Sequence, residues 1–186
     1  MFIQTETTPN PATLKFLPGA AVAQEGVWDL RSPDEANVSP LAQAIFSIEG
    51  VSGVFLGSDF ISVTKSDGEW QNLKPAILGA IMEHFLSGRP VLVSGAGASG
   101  QAPSEQFAPE DAEIVATIKE LLDERVRPAV AGDGGDIVFR AFKDGVVYLQ
   151  MKGACSGCPS STATLKRGIQ NLLCHFVPQV KSVEEA

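Results

Sequence analysis

The stretch SGRPVLVSGAGASGQAPSEQFAP, residues 87–109, limits the fold of this 186-residue chain more than any other segment. It is rich in Gly, Ser, Ala and Pro and carries no sustained apolar period. Such a composition cannot bury enough surface to offset its ordering entropy, so residues 88–108 read as a flexible linker, although PVLV is compatible with the domain before it. A single continuous core is thereby excluded. The chain divides into one domain over residues 1–87 and another over 109–186. Each is small, so each core is modest.

Within 1–87, MFIQTE and ATLKFLP read as short strands around a TPNP turn, and GVWDL as another. Ser39 followed by Pro40 is a helix start, a hydroxyl N-cap and then proline at the first helical position. Leu41, Ala44, Ile45 and Ile48 share one face of that helix, and Gly50 ends it. VSGVFLG and DFISVTK form a hairpin turning at GSD. A longer helix follows, with Leu73, Ile77, Leu78, Ile81 and Phe85 at helical spacing. Within 109–186, a helix is expected from Pro109 to Val126, with Ile114, Val115, Ile118, Leu121 and Leu122 inward and Pro128 as its stop. DIVFRAF and VVYLQMK are strands joined at Asp144–Gly145. A second helix spans Pro159 to Phe176, and QVKSVEE adds a last short strand. The fold class is α+β, two small domains joined by the linker, the second with the order α-β-β-α-β.

Composition narrows the function. With 44% hydrophobic and 19% charged residues the chain is an ordinary globular one. No apolar run approaches the ~18 residues of a membrane span. MFIQTETTPN has neither a signal peptide's basic and apolar regions nor a transit peptide's arginines, so a cytoplasmic protein, or a form already trimmed, is expected. A net charge of −8 argues against nucleic acid as partner. Residues 1–87 hold 4 basic and 10 acidic side chains. That imbalance favours basic partner surfaces, unless it serves solubility alone.

Two of the three cysteines, Cys155 and Cys158, lie in GACSGCPSST on a loop between a strand and the start of a helix. The first turn of a helix offers unpaired N–H groups and a positive dipole end, both expected to favour thiolate. Pro159 fits the first helical position. Gly153 and Gly157 let the backbone approach a bulky group. Ser156, Ser160, Ser161 and Thr162 add no bulk, and Lys152, Lys166 and Arg167 are near enough in sequence to offset anionic charge. Three chemistries fit. A thiol–disulfide oxidoreductase also carries CxxC at a helix start, though usually in a βαβ context, whereas a hairpin precedes this one. Structural zinc needs four ligands, and neither His84 nor His175 has ligand spacing, so only zinc bridging two chains would suffice. An iron–sulfur cluster shared by a two-fold dimer would take two thiolates from each chain, in an exposed and easily released position.

The Arg-Pro pair at 127–128, DGGDI at 133–137, GACSGCPSS at 153–161, TLK at 164–166 and the terminal VPQV together resemble the C-terminal domain of NifU, the Nfu-type iron–sulfur scaffold domain. The opening MFIQTETTPNPATLKFLPG resembles the domain that precedes it in mitochondrial and alphaproteobacterial Nfu proteins. The resemblance implies a non-enzymatic scaffold or carrier that holds a 4Fe–4S cluster between two protomers and transfers it to apo-proteins. It implies Cys155 and Cys158 as ligands, a homodimer when cluster-bound, supply by upstream assembly machinery, and no nucleic acid or membrane. It also implies a cytoplasmic location, or the mitochondrial matrix in a eukaryote. The first domain has no cysteine and cannot ligate a cluster through thiolates.

Cys174 departs from the family pattern. It lies sixteen residues past Cys158, about 24 Å along a helix, and is expected to be a packed or partly exposed thiol. His175 is read as a helix C-terminal residue suited to the dipole, and His84 as a surface or partly packed one. Asp133 and Asp136 in DGGD are read as fixing a turn and starting a strand.

Overall fold

The computed structural model describes residues 2–24, 26–93, 105–156 and 159–186, with the backbone alone at 159–161. The chain forms two compact units, Met1–Gln101 and Ala102–Ala186.

In the first unit, β1 (Gln4–Thr7), β2 (Thr13–Leu17), β3 (Trp28–Leu30), β4 (Val51–Leu56) and β5 (Ile61–Lys65) make one antiparallel sheet in the order β1-β2-β5-β4-β3. Two helices, α1 (Pro40–Phe46) and α2 (Trp70–Leu86), close a core with it. The Ser39 cap forms as expected: its Oγ accepts from the Ala42 N–H at 3.1 Å and donates to the Val91 carbonyl at 2.5 Å. Phe16, Trp28, Leu41, Ile45, Ile61, Ile77 and Ile81 are shut away from solvent. Burial of such side chains is the main term holding a unit of this size together.

The second unit opens with a single 3₁₀ turn at Pro109–Asp111 and continues as α3 (Ala112–Leu121). The helix does not stop at Pro128. A π-helical turn over Leu122–Val126 shifts the hydrogen-bond register, so that the Arg127 N–H reaches the Leu122 carbonyl five residues back. The chain then resumes as α4 (Arg127–Gly132), with Pro128 in its first turn. Proline is tolerated there because its missing N–H has no partner to lose, and the extra residue of the π turn restarts the helix. Leu122, Val126 and Val130 are thus all buried in one core.

β6 (Gly135–Lys143) and β7 (Val146–Gly153) form the expected hairpin. Asp144 and Gly145 both have positive φ, 53° and 83°, the geometry of a tight two-residue turn. α5 (Pro159–Phe176) leads to β8 (Ser182–Glu185), which pairs parallel to β7. The sheet order is β6-β7-β8, and the element order is the α-β-β-α-β read from the sequence. The parallel pairing makes β7-α5-β8 a βαβ crossover. The hairpin before the CxxC therefore does not separate a carrier from a thiol exchanger, because the helix after it lies in the exchanger's kind of context.

The described ends of the glycine-rich stretch are anchored. Val91 and Leu92 pack on the first core, and the Val93 N–H bonds to the Val38 carbonyl at 2.9 Å. At the other end, Gln106 bridges to β6, its N–H to the Arg140 carbonyl at 3.0 Å and its carbonyl to the Phe142 N–H at 2.9 Å. Residues 94–104, the middle of the expected linker, lie outside the described residues. No described helix is long and apolar enough to cross a membrane.

His84 corrects the expectation of a surface or partly packed residue. It is 6% exposed on α2, and its Nε2 is buried with no hydrogen-bond partner among the described residues. Burial, and then the Arg89 charge, lower its pKa from 6.5. Below that value the unfolded chain takes up a proton that the folded unit resists. The stability of the first unit is therefore full at neutral pH and falls as pH drops through 6.5. Thermal melts between about pH 7 and pH 5 are expected to show this loss. His84→Leu, which removes both the titration and the orphaned nitrogen, is expected to flatten the slope.

Candidate functional site

Cys155 is placed by the end of β7. The hairpin register sets Gly135 opposite Gly153 and Asp136 opposite Lys152, so the start of β6 and the end of β7 lie side by side. β7 turns away at Gly153, whose φ of 66° suits glycine. The Ser156 N–H closes that turn on the Gly153 carbonyl at 3.1 Å, and the Ala154 N–H is held by the Gly134 carbonyl at 3.2 Å. From the helix side, the Thr162 hydroxyl donates to the Cys155 carbonyl at 3.1 Å. The turn bearing the thiol is thus tied to DGG before it and to α5 after it. Gly157 and Cys158 lie outside the described residues, so the second thiol of the motif has no described position.

The state of the Cys155 thiol differs from expectation. The residue is 5% exposed and belongs to the hydrophobic core of the second unit. Desolvation pushes its pKa up to about 12, and the negative charges of Asp133 and Asp136 add to the rise. The helix that was to favour thiolate begins at Pro159, four positions along the chain from Cys155. Whatever that helix start contributes, burial and the two carboxylates outweigh it at the sulfur. Nor do the expected cations all gather here: Lys166 is engaged with Glu184 at 2.5 Å.

Asp133 caps α4 and Asp136 lies in β6, which agrees with a turn and a strand start. Asp136 is 8% exposed, and its pKa is raised by burial, with the Arg127 charge opposing. Arg127 reaches three partners: Asp123 Oδ1 at 3.0 Å, Asp136 Oδ1 at 3.4 Å and the Ile137 carbonyl at 3.3 Å. This arginine ties α4 to the first residues of β6, behind the cysteine turn. The sequence marked Arg127 and DGGDI separately, but the contact that joins α4 to β6 is tertiary and no local signal announced it.

Cys174 is half-buried against the same core, with Sγ 3.2 Å from the Val180 carbonyl at the far end of α5. His175 sits in the last turn of α5, its ring edge-on to Phe176. Among the described residues no three His, Cys, Asp or Glu side chains converge as a metal site. The described part of one chain therefore does not complete a ligand set.

Comparison with known proteins places residues 3–88 in the family described as scaffold protein Nfu/NifU N terminal, and residues 118–184 in the NifU-like domain family. The human protein named NFU1 iron-sulfur cluster scaffold homolog, mitochondrial, is 52% identical over the whole chain, which covers 72% of its length. NifU-like protein 4, mitochondrial, of Arabidopsis thaliana is 50% identical, and the chain covers 66% of it. Among solved structures, a NifU-like protein from Saccharomyces cerevisiae is 31% identical, matching 50% of this chain and 86% of that one at a TM-score of 0.46.

Arg127 is half exposed, so its removal is expected to cost only about 1 kcal/mol in the unfolding of the second unit. Asp123→Asn, at a more exposed partner, is expected to cost less. Urea titration of Arg127→Ala and Asp123→Asn checks the order.

Proposed function

This chain belongs to the Nfu/NifU family of iron–sulfur cluster scaffold proteins, and on that premise we propose that it carries a 4Fe–4S cluster held between two protomers and passes it to apo-proteins. Cys155 and Cys158 of each protomer supply the four thiolates. The observation that carries this reading is that both scaffold domains match and that the NifU-like match, 118–184, contains the CxxC. The shortage of ligands in one chain is what a shared cluster requires, since a two-fold axis doubles every ligand.

The cluster is cargo, and the chain binds and releases it without catalysing a reaction. Cys155 enters from the end of a strand, and Cys158 directly precedes α5. In the bound state both sulfurs are deprotonated, so loading releases protons and replaces burial with iron as the partner of the Cys155 sulfur. Buried thiol in the empty chain and ligating thiolate in the loaded one are two states of the same turn. The thiol–disulfide alternative asks for a standing nucleophile, and a thiol with a pKa near 12 is a poor one at neutral pH. A zinc bridge between two chains would use the same four sulfurs and is separated by metal analysis.

The first unit has no cysteine, and its 10 acidic against 4 basic side chains over residues 1–87 suit contact with a basic surface on a donor or recipient protein. Both relatives above are named mitochondrial. The proposed place of work is the cytoplasm, or the mitochondrial matrix in a eukaryote.

Anaerobic reconstitution with iron and sulfide is expected to give a dimer with about four irons, read by Mössbauer spectroscopy and native mass measurement. Cys155→Ala and Cys158→Ala are each expected to lose the cluster, and Cys174→Ala to keep it. A cluster retained without Cys155, or one lost with Cys174, would overturn the ligand assignment. Catalysed insulin reduction by the iron-free monomer would instead favour the exchanger.

A further inference from the structure

The Cys155 sulfur occupies a place that only glycine leaves open. A Cβ at Gly135 would lie 2.8 Å from Cys155 Sγ, 3.2 Å from the Cys155 N and 2.6 Å from the Lys152 carbonyl oxygen. Real Cβ atoms essentially never come within 3.0 Å of such neighbours, as this one would of Cys155 Sγ and the Lys152 oxygen. The missing methyl group at the start of β6 is therefore the floor of a seat for the thiol. Its walls are the hairpin backbone at Lys152 and the buried core that counts Ile137 and Met151 among its members. The seat is filled, since Cys155 is 5% exposed. A sulfur so enclosed cannot also meet a cluster shared with a second chain.

We propose that the cluster-free chain stows Cys155 over Gly135, and that loading begins when the Gly153–Ser156 turn carries Sγ out of this seat. Gly135 is the positioning residue: it sets how well the empty protein hides one of its ligands from alkylating and oxidising agents. The turn is short and leaves the strand at Gly153, whose φ is positive. Among the described residues its bonds include Ser156–Gly153 within the turn, and Ala154–Gly134 and Thr162–Cys155 to its neighbours. A short turn at the end of a strand can open locally without unfolding the rest of the domain. The role assigned to the opened state rests on the ligand reading above, whereas the stowed state is a property of the empty chain alone.

The test is the alkylation rate of each cysteine in the fully reduced, iron-free full chain, followed by iodoacetamide and peptide mass spectrometry. In the wild type, Cys155 is expected to react at least about tenfold more slowly than in the same chain in denaturant at the same pH. Gly135→Ala is expected to raise the Cys155 rate severalfold while leaving the Cys174 rate unchanged, because Cys174 is packed at the far end of α5. Gly168→Ala is the control, since a Cβ there meets nothing within 4 Å, and it is expected to change neither rate. A native wild-type chain in which Cys155 reacts as fast as in denaturant overturns the stowed state, whether or not Gly135→Ala folds. Equal acceleration of Cys155 and Cys174 in Gly135→Ala overturns the positioning role, because general loosening would then explain it. Neither outcome touches the ligand assignment, which stands or falls on cluster loading by Cys155→Ala.

Discussion

The second unit depends on how closely the start of β6 lies against the end of β7. Gly135 opposite Gly153 brings two backbones together with no Cβ between them, and the turn bearing Cys155 leaves from that point. Everything else about the cysteine follows. The carbonyl of Gly134 can hold the Ala154 N–H, the sulfur can sink toward the core, and Asp133 and Asp136 come near enough to raise its pKa. Paired strands with side chains at these positions would hold the loop further out.

The scaffold behind this contact is made by one irregularity. The π turn at Leu122–Val126 lets the helix run past Pro128, and Arg127, paired with Asp123 four residues back on its own helix, also reaches Asp136 of β6. Without the register shift, a proline at that position would end the helix. π-helical turns of this kind interrupt regular hydrogen bonding, and they persist where surrounding packing compensates. Here the compensation is the burial of Leu122, Val126 and Val130 in one core.

Burial of Cys155 is costly to the proposed cluster binding and useful to storage. A thiol held in an apolar seat resists ionisation and attack, and the proposed ligand role requires its release before it meets iron. A permanent electron-transfer centre would gain nothing from such a seat. For a carrier that spends part of its cycle empty, shelter of the empty site and reversible exposure are compatible demands. The βαβ crossover around the loop resembles the frame of a thiol exchanger, so the distinction lies in the state of the sulfur and in what can complete its coordination.

Sequence by itself determined much of this. The presence of two domains, the helices with their apolar stripes, the Asp144–Gly145 hairpin, the Ser39–Pro40 cap and the α-β-β-α-β order were all legible, because periodicity, turn chemistry and capping are local. The family was legible for the same reason, in DGGDI and GACSGCPSS. The structure alone decided what depends on distant atoms meeting. That Pro128 does not end the helix follows from packing of the π turn. That β8 is parallel to β7 follows from which edge the chain returns to. That His84 is buried, and that the Cys155 thiol is shut in and pushed toward 12, follow from what folds over them. Proximity to a helix start suggests a reactive thiolate when only sequence neighbours are counted. Desolvation depends on the neighbours that folding brings, and here it prevails.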